Sequence, residues 1–133
     1  MDKSFLKNIN ILYIEDEDEV RDLTCSFLGK FVNNIISACN GQEGLELFQK
    51  YHEDDSLDDI DLIVTDMAMP QMTGDRLSRE IRKIRSDIPI VIITGYSEQL
   101  TKEEALEIGI QGFLTKPITK YKLAKEVRKV IDN

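Results

Sequence analysis

The chain predicts an α/β protein: a doubly wound, five-stranded parallel sheet with helices on both faces. Three observations lead to that class. Short apolar runs alternate with helix-period segments five times, and strict strand–helix alternation makes strands parallel and puts the connecting helices on both faces. Ile88-Pro89-Ile90-Val91-Ile92-Ile93-Thr94 is almost continuously β-branched, as a central strand covered on both sides requires. The chemically distinctive residues, Glu15, Asp16, Asp66, Thr94 and Lys116, all sit where a strand run ends, the edge at which such sheets bind ligands. A length of 133 residues suits a single domain, 1–133, with its core from about residue 9 to residue 131.

The elements follow in order. Ile9-Asn10-Ile11-Leu12-Tyr13-Ile14 is the first strand, ending at Glu15-Asp16. Val20, Leu23, Phe27, Leu28 and Phe31 recur every three to four residues and predict a first helix that turns this set inward. Asn33-Asn34 marks a turn, and Ile35-Ile36-Ser37-Ala38-Cys39 is the second strand, whose end at Cys39-Asn40 offers no evident chemistry. The second helix runs from Gly41 to about Tyr51, with Leu45, Phe48 and Tyr51 inward. Asp61 to Thr65 is the third strand, with Asp66 at its mouth. The third helix buries Leu77, Ile81 and Ile84, with Arg76, Arg79, Arg82, Lys83 and Arg85 around it. In the fourth strand Pro89 lies near the start, where a missing ladder donor is tolerated. The fourth helix opens with the capping box Thr101-Lys102-Glu103-Glu104 and stops at Gly109. Its apolar contacts reduce to Ala105 and Ile108, with Leu100 just before it, so it is expected to be weakly held. Ile110 to Thr115 is the fifth strand, broken by Lys116-Pro117. Thr119 caps the last helix, whose inner face is Leu123, Val127, Val130 and Ile131.

Composition removes whole classes of function. The net charge of −8 argues against direct nucleic-acid binding, which needs a basic footprint. No apolar run approaches the length of a membrane span, and Met1-Asp2-Lys3-Ser4 lacks the apolar stretch of a signal peptide, so the expected location is cytoplasmic. Cys25 and Cys39 form no close-spaced metal motif; two buried thiols in a reducing compartment are favoured over a disulfide or a zinc site. The acidic segment His52-Glu53-Asp54-Asp55-Ser56-Leu57-Asp58-Asp59 lacks the glycine and terminal glutamate of a calcium loop and reads as a solvated connection. His52, the one histidine, reads as a surface residue near a helix end.

The chemistry begins at Asp66. A carboxylate at the mouth of a parallel sheet, met by Glu15 and Asp16, does not serve packing. Anions about 5 Å apart repel by roughly 3 kcal/mol per pair at an effective dielectric near 20. A hard divalent cation with oxygen ligands offsets this, and magnesium pairs habitually with phosphate chemistry. Each residue also has a plainer reading. Thr94 alone reads as a turn former and Lys116-Pro117 as a strand breaker, while Asp16 or Asp18 could cap the first helix, with Glu17 and Glu19 facing solvent in its first turn.

Four motifs stand in sequence, each after its strand: Ile14-Glu15-Asp16-Glu17-Asp18-Glu19-Val20; Asp66-Met67-Ala68-Met69-Pro70 with Thr73-Gly74; Thr94-Gly95-Tyr96; and Phe113-Leu114-Thr115-Lys116-Pro117. Together they resemble the receiver domain of bacterial two-component response regulators and hybrid histidine kinases, over nearly the whole chain. The resemblance implies a flavodoxin-like, CheY-like sheet of order 2-1-3-4-5. It implies Asp66 as phosphoryl acceptor and carboxylate nucleophile, and magnesium, or manganese in its place, held by Glu15, Asp16, Asp66 and the main-chain carbonyl of Ala68. Glu15 is one methylene longer than the aspartate of many relatives and could reach the metal through water. Lys116 would pair with Asp66 and then with a phosphoryl oxygen, and Thr94 would donate to another. Metal, lysine and hydroxyl suffice for phosphoryl transfer, which needs positioning and charge neutralisation.

The implied protein is no conventional enzyme; it promotes its own magnesium-dependent aspartyl phosphorylation and dephosphorylation. Its implied partners are a histidine kinase or a histidine phosphotransfer domain, either to a stand-alone receiver or to a module of a longer kinase or regulator. Thr94 would turn toward the phosphoryl group, Phe113 would fill the space it vacates, and the face of helix four, strand five and helix five would change; plain core packing is the other reading of Phe113. Ala68 cannot orient a hydrolytic water and Tyr96 could cover the site, so slow self-dephosphorylation is expected. A haloacid-dehalogenase-type hydrolase would need an acid where Ala68 stands, and a cap insertion. A nucleotide-binding flavodoxin-like protein would need a glycine-rich loop after strand one, where acidic residues stand instead. A degenerate receiver is disfavoured by the complete set of acidic, hydroxyl and lysine residues.

Overall fold

In the computed structural model, which describes residues 4–95 and 100–132, the five apolar runs form five parallel strands. They are β1 (Asn10–Ile14), β2 (Asn34–Ala38), β3 (Leu62–Asp66), β4 (Ile90–Thr94) and β5 (Gly112–Thr115), joined by α1 (Asp18–Leu28), α2 (Gly41–Glu53), α3 (Gly74–Ile84) and α4 (Lys102–Ile108) and followed by α5 (Lys120–Asp132). A short 3-10 helix, Ser4–Asn8, precedes β1. The strand order is β2-β1-β3-β4-β5, the doubly wound arrangement expected.

Side chains alternate across a strand, and the core divides accordingly. Leu12, Ile14, Ile63, Ile90 and Ile92 pack with Phe48 of α2, Leu77 and Ile81 of α3 and Ala105 of α4. Ile11, Tyr13, Leu62, Val64, Val91 and Ile93 pack on the other face with Leu28 of α1 and Leu123, Val127 and Val130 of α5. All five residues of β1, β3 and β4 are buried, which accounts for their near-continuous apolar character.

The helices differ in how they are held. Leu77 and Ile81 of α3 are fully buried, whereas α4 buries only Ala105. At about 1.5–3 kcal/mol per large aliphatic side chain, α3 is anchored by several kcal/mol that α4 lacks. What defines α4 is local: the Thr101–Glu104 capping box and Gly109, left-handed at φ 93°. Thr119 caps α5 through the Lys122 amide, as expected.

Helix α1 departs from expectation. It ends at Leu28, before Phe31, and leaves Val20 38% and Leu23 69% exposed. The stripe that faces the sheet runs instead through Arg21, Thr24, Cys25 and Leu28. Polar contacts lie along that stripe: Arg21 donates to the Glu15 carbonyl at 2.8 Å, Thr24 lies by the Tyr13 hydroxyl and Cys25 by Ser37. The helix thus turns a partly polar stripe to the sheet, which its apolar periodicity alone does not give. The thiols follow suit: Cys25 is half-buried and Cys39 exposed, so the expectation of two buried thiols fails. Nor does Asp16 or Asp18 cap α1; Glu17 holds that position without a side-chain bond.

The acidic connection behaves as a solvated loop with local ties. Asp54 accepts bonds from the Ser56 amide and hydroxyl, and Asp61 accepts the Asn10 amide at the foot of β1. His52 is exposed and stacks on Phe48, with ring centroids 5.9 Å apart.

Candidate functional site

Register brings the strand ends together. Ile14 lies beside Thr65, Asp66 beside Ile93 and Thr94 beside Thr115, so Glu15, Asp66, Thr94 and Lys116 emerge at one edge of the sheet. Glu15, Asp66 and Thr94 are buried; Asp16 and Lys116 are half-buried, and Ala68 is exposed. One carboxylate oxygen from each of Glu15, Asp16 and Asp66 lies within 4.8 Å of the others.

Lys116 is the cation of the cluster. Its Nζ lies 3.2 Å from both oxygens of Asp66, but only Oδ2 meets it in hydrogen-bond geometry. Oδ1 is buried and, among the described residues, accepts no hydrogen bond, its one close cation being the ion-paired Lys116. A buried carboxylate oxygen short of hydrogen bonds is costly, and here it belongs to a triad of acidic groups. An all-oxygen donor set fits magnesium or manganese and does not suit a soft metal. The Glu15, Asp16 and Asp66 oxygens therefore suit a hard divalent cation.

Electrostatics carry the same message. Burial pushes the Glu15 carboxyl up to about 7; the Glu17 amide opposes the shift, and the Asp66 charge adds to it. Asp66 is also raised by burial, with Lys116 pulling the other way. Carboxylates at this spacing repel by ~3 kcal/mol per ionised pair at an effective dielectric near 20, so a cation binding beside Glu15 would displace the proton its raised carboxyl retains.

Local chain features hold Asp66 in place. The Thr65 hydroxyl donates to the Asp66 carbonyl at 2.9 Å, and the Met67 amide to the Ile93 carbonyl at 2.8 Å. Gly74 opens α3 directly against the site: a Cβ there would stand 2.4 Å from the Asp66 carbonyl oxygen. Only glycine allows that approach, which gives the Thr73-Gly74 motif its physical content. Gly74→Ala is expected to cost about 1–3 kcal/mol, as overpacking against fixed backbone does. Urea denaturation would show it, and a change below about 0.5 kcal/mol would mean that the contact relaxes freely. Between Asp66 and Gly74, Gln71 is left-handed at φ 70°, a conformation non-glycine residues adopt at some energetic cost.

The residues singled out by sequence thus divide cleanly. Glu15, Asp16, Asp66 and Lys116 converge within contact distances, and Thr94 ends the strand beside them, its carbonyl accepting the Lys116 amide at 2.6 Å. Phe113 is half-buried against the core under α4, its amide donating to Glu126. Tyr96 lies outside the described residues. Asn40, dismissed from sequence, caps α2 by accepting the Glu43 amide at 2.7 Å, while Glu43 accepts the Cys39 amide. The signal was legible as Asn40-x-x-Glu43, a capping-box spacing.

Comparison with known proteins agrees with this geometry. The model of the response regulator receiver domain matches residues 11–128. A probable transcriptional regulator ycf27 of Cyanidium caldarium is 31% identical over 92% of this chain and 46% of its own length. The sensor kinase CckA of Brucella abortus is 31% identical over 92% of this chain but 12% of its own. The chain thus spans about half the length, or less, of these curated relatives. Among solved structures, a response regulator receiver domain protein from Clostridium thermocellum superposes with TM-score 0.82 at 29% identity, covering 93% of this chain and 94% of that one. Chemotaxis protein CheY4 of Vibrio cholerae does so with TM-score 0.80 at 26% identity, covering 92% and 98%. With four strand ends, three carboxylates and one lysine placed as described, this chain belongs to the response regulator receiver domain family.

Proposed function

We propose that this chain is the phosphoacceptor of a two-component phosphorelay: Asp66 accepts a phosphoryl group from the histidine of a kinase or of a phosphotransfer domain, and the chain changes one face in response. The observation that carries this reading is the buried Asp66 carboxylate, ion-paired with Lys116 at 3.2 Å, inside a cluster of three acidic side chains. Glu15, Asp16, Asp66 and the Ala68 carbonyl would hold magnesium, which when bound screens the carboxylates and the incoming phosphoryl oxygens. An Asp66 oxygen forms the new O–P bond as the P–N bond to the donor histidine breaks, its electron pair leaving on imidazole nitrogen. Lys116 then transfers its hydrogen bond from carboxylate to phosphoryl oxygen, and Thr94 donates to another. The same residues serve hydrolysis of the aspartyl phosphate, in which water forms an O–P bond as the Asp66 O–P bond breaks and inorganic phosphate leaves; Ala68 leaves this step slow because it cannot orient the water.

The switch reading rests on α4, the thinly packed helix of the fold. Phosphorylation adds up to two charges and new acceptors beside Thr94; Thr94 turns toward them, Phe113 takes the vacated space, and α4, β5 and α5 present a different face to a partner. Acetyl phosphate with magnesium should add one phosphoryl group to the intact mass. Beryllofluoride should alter amide exchange across α4, β5 and α5. Failure of the mass shift removes the acceptor role, and unchanged exchange with bound beryllofluoride removes the switch alone.

A further inference from the structure

We propose that Arg21 is the positioning residue of the metal site, fixing the loop that carries Glu15 and Asp16. The inference rests on the magnesium site just described and deepens it. β1 leaves the sheet after the Glu15 amide bonds the Ala38 carbonyl at 3.1 Å, so the Glu15 carbonyl needs a partner elsewhere. Arg21 supplies it: Nη1 donates to that carbonyl at 2.8 Å, and Nη2 donates to the Asp18 carboxylate at 2.5 Å. The Arg21 amide donates to the Glu17 carbonyl at 2.9 Å, and the Glu17 amide donates to Glu15 Oε2 at 3.1 Å. One side chain, 16% exposed, thus ties residue 15 to residue 18 across the acidic turn. It is also the cation of a segment in which Glu15, Asp16, Glu17, Asp18, Glu19 and Asp22 are all acidic.

Charge and geometry make opposite predictions for this residue. A fixed positive charge near a cation site opposes metal binding, so if Arg21 acted by charge alone its removal would tighten magnesium. If it acts by holding the loop, its removal loosens magnesium despite the relieved repulsion. Arg21→Lys retains the charge, but its compact ammonium lacks the planar fork that spans two acceptors, so it should behave like Arg21→Met. A matched control exists in the same fold. Arg85 also bonds a main-chain carbonyl, that of Ile60 at 3.0 Å, and an aspartate, Asp87 at 2.8 Å, but in the loop leading into β4.

Magnesium titration by calorimetry on the full chain should show dissociation constants raised about tenfold in Arg21→Met and Arg21→Lys, the scale at which supporting partners of metal ligands act. Arg85→Met should lose comparable stability with magnesium affinity unmoved. In acetyl phosphate labelling, the Arg21 variants should need more magnesium for half-maximal rate and recover the wild-type rate at saturation. Unchanged or tighter magnesium binding in Arg21→Met, or equal weakening in Arg85→Met, overturns the proposal. Because binding is read without a phosphoryl donor, a wild-type protein that binds magnesium but takes no label would count against Asp66 as acceptor and leave the Arg21 result standing.

Discussion

Asp66→Asn is expected to abolish phosphoryl uptake from acetyl phosphate, lowering the initial rate by at least about a thousandfold, the scale on which removing a nucleophile acts. The substitution is nearly isosteric and falls on a side chain whose backbone is fixed by Thr65, Met67 and Gly74, so the fold should persist and far-ultraviolet dichroism should be unchanged. What changes is chemistry: an amide has no anionic oxygen to attack phosphorus, and the metal cluster loses one of its three carboxylates. Lys116, 39% exposed, can turn its ammonium toward water and need not remain buried beside a neutral partner. Intact mass spectrometry after acid quench measures the outcome. Labelling of Asp66→Asn at the wild-type rate would place the acceptor elsewhere and strip the β3 edge of its central role.

Much of this was legible in the sequence, for a physical reason. Strands buried on both faces write themselves as unbroken runs of Ile, Leu and Val, so β1, β3 and β4 and the residues at their ends could be placed to within two positions. Parallel topology then forces every chemically useful end residue onto one edge, which is why Asp66, Glu15, Asp16 and Lys116 could be brought together from the sequence alone. The capping box and Gly109 of α4 were legible because they are local. What failed was rotation and tertiary anchoring. The apolar periodicity of α1 pointed Leu23 inward, yet the helix instead turns Arg21, Thr24 and Cys25 toward the Glu15 carbonyl, Tyr13 and Ser37. No periodicity reports a partner distant along the chain. The closeness of Gly74 to the Asp66 carbonyl was hidden for the same reason, since a motif marks the residue and only packing shows what its missing Cβ makes room for.

Glu15 makes the metal-free protein less stable as pH rises from about 5 to about 7.5, opposite to the behaviour of a salt-bridged carboxylate. Its carboxyl is pushed up to about 7 by burial and by Asp66, against an ordinary value near 4.3. Between those values the folded state binds a proton that the unfolded chain has released. Stability therefore falls with rising pH through that window and levels off above the folded value. At ~1.4 kcal/mol per pH unit the loss approaches ~3 kcal/mol, and Asp66, raised by the same burial, adds in the same direction. Exposed carboxylates held below their usual range, such as Asp87 beside Arg85 and Glu80 beside Lys83, titrate below the window and do not mask it. Saturating magnesium cancels the slope, because binding the cation requires Glu15 to release its proton; affinity should rise with pH over the same interval by up to about tenfold per unit, offsetting the loss in the metal-free protein. Glu15→Gln separates the two effects. Above pH 7 it should be the more stable protein in chelator, by up to ~3 kcal/mol, and the weaker magnesium binder, with much of the pH slope gone. Urea denaturation at several pH values, with and without magnesium, measures all of this. A wild-type protein whose metal-free stability rises from pH 5 to 7.5 would show that Glu15 is ionised without penalty, and that the acidic cluster is not waiting for a cation.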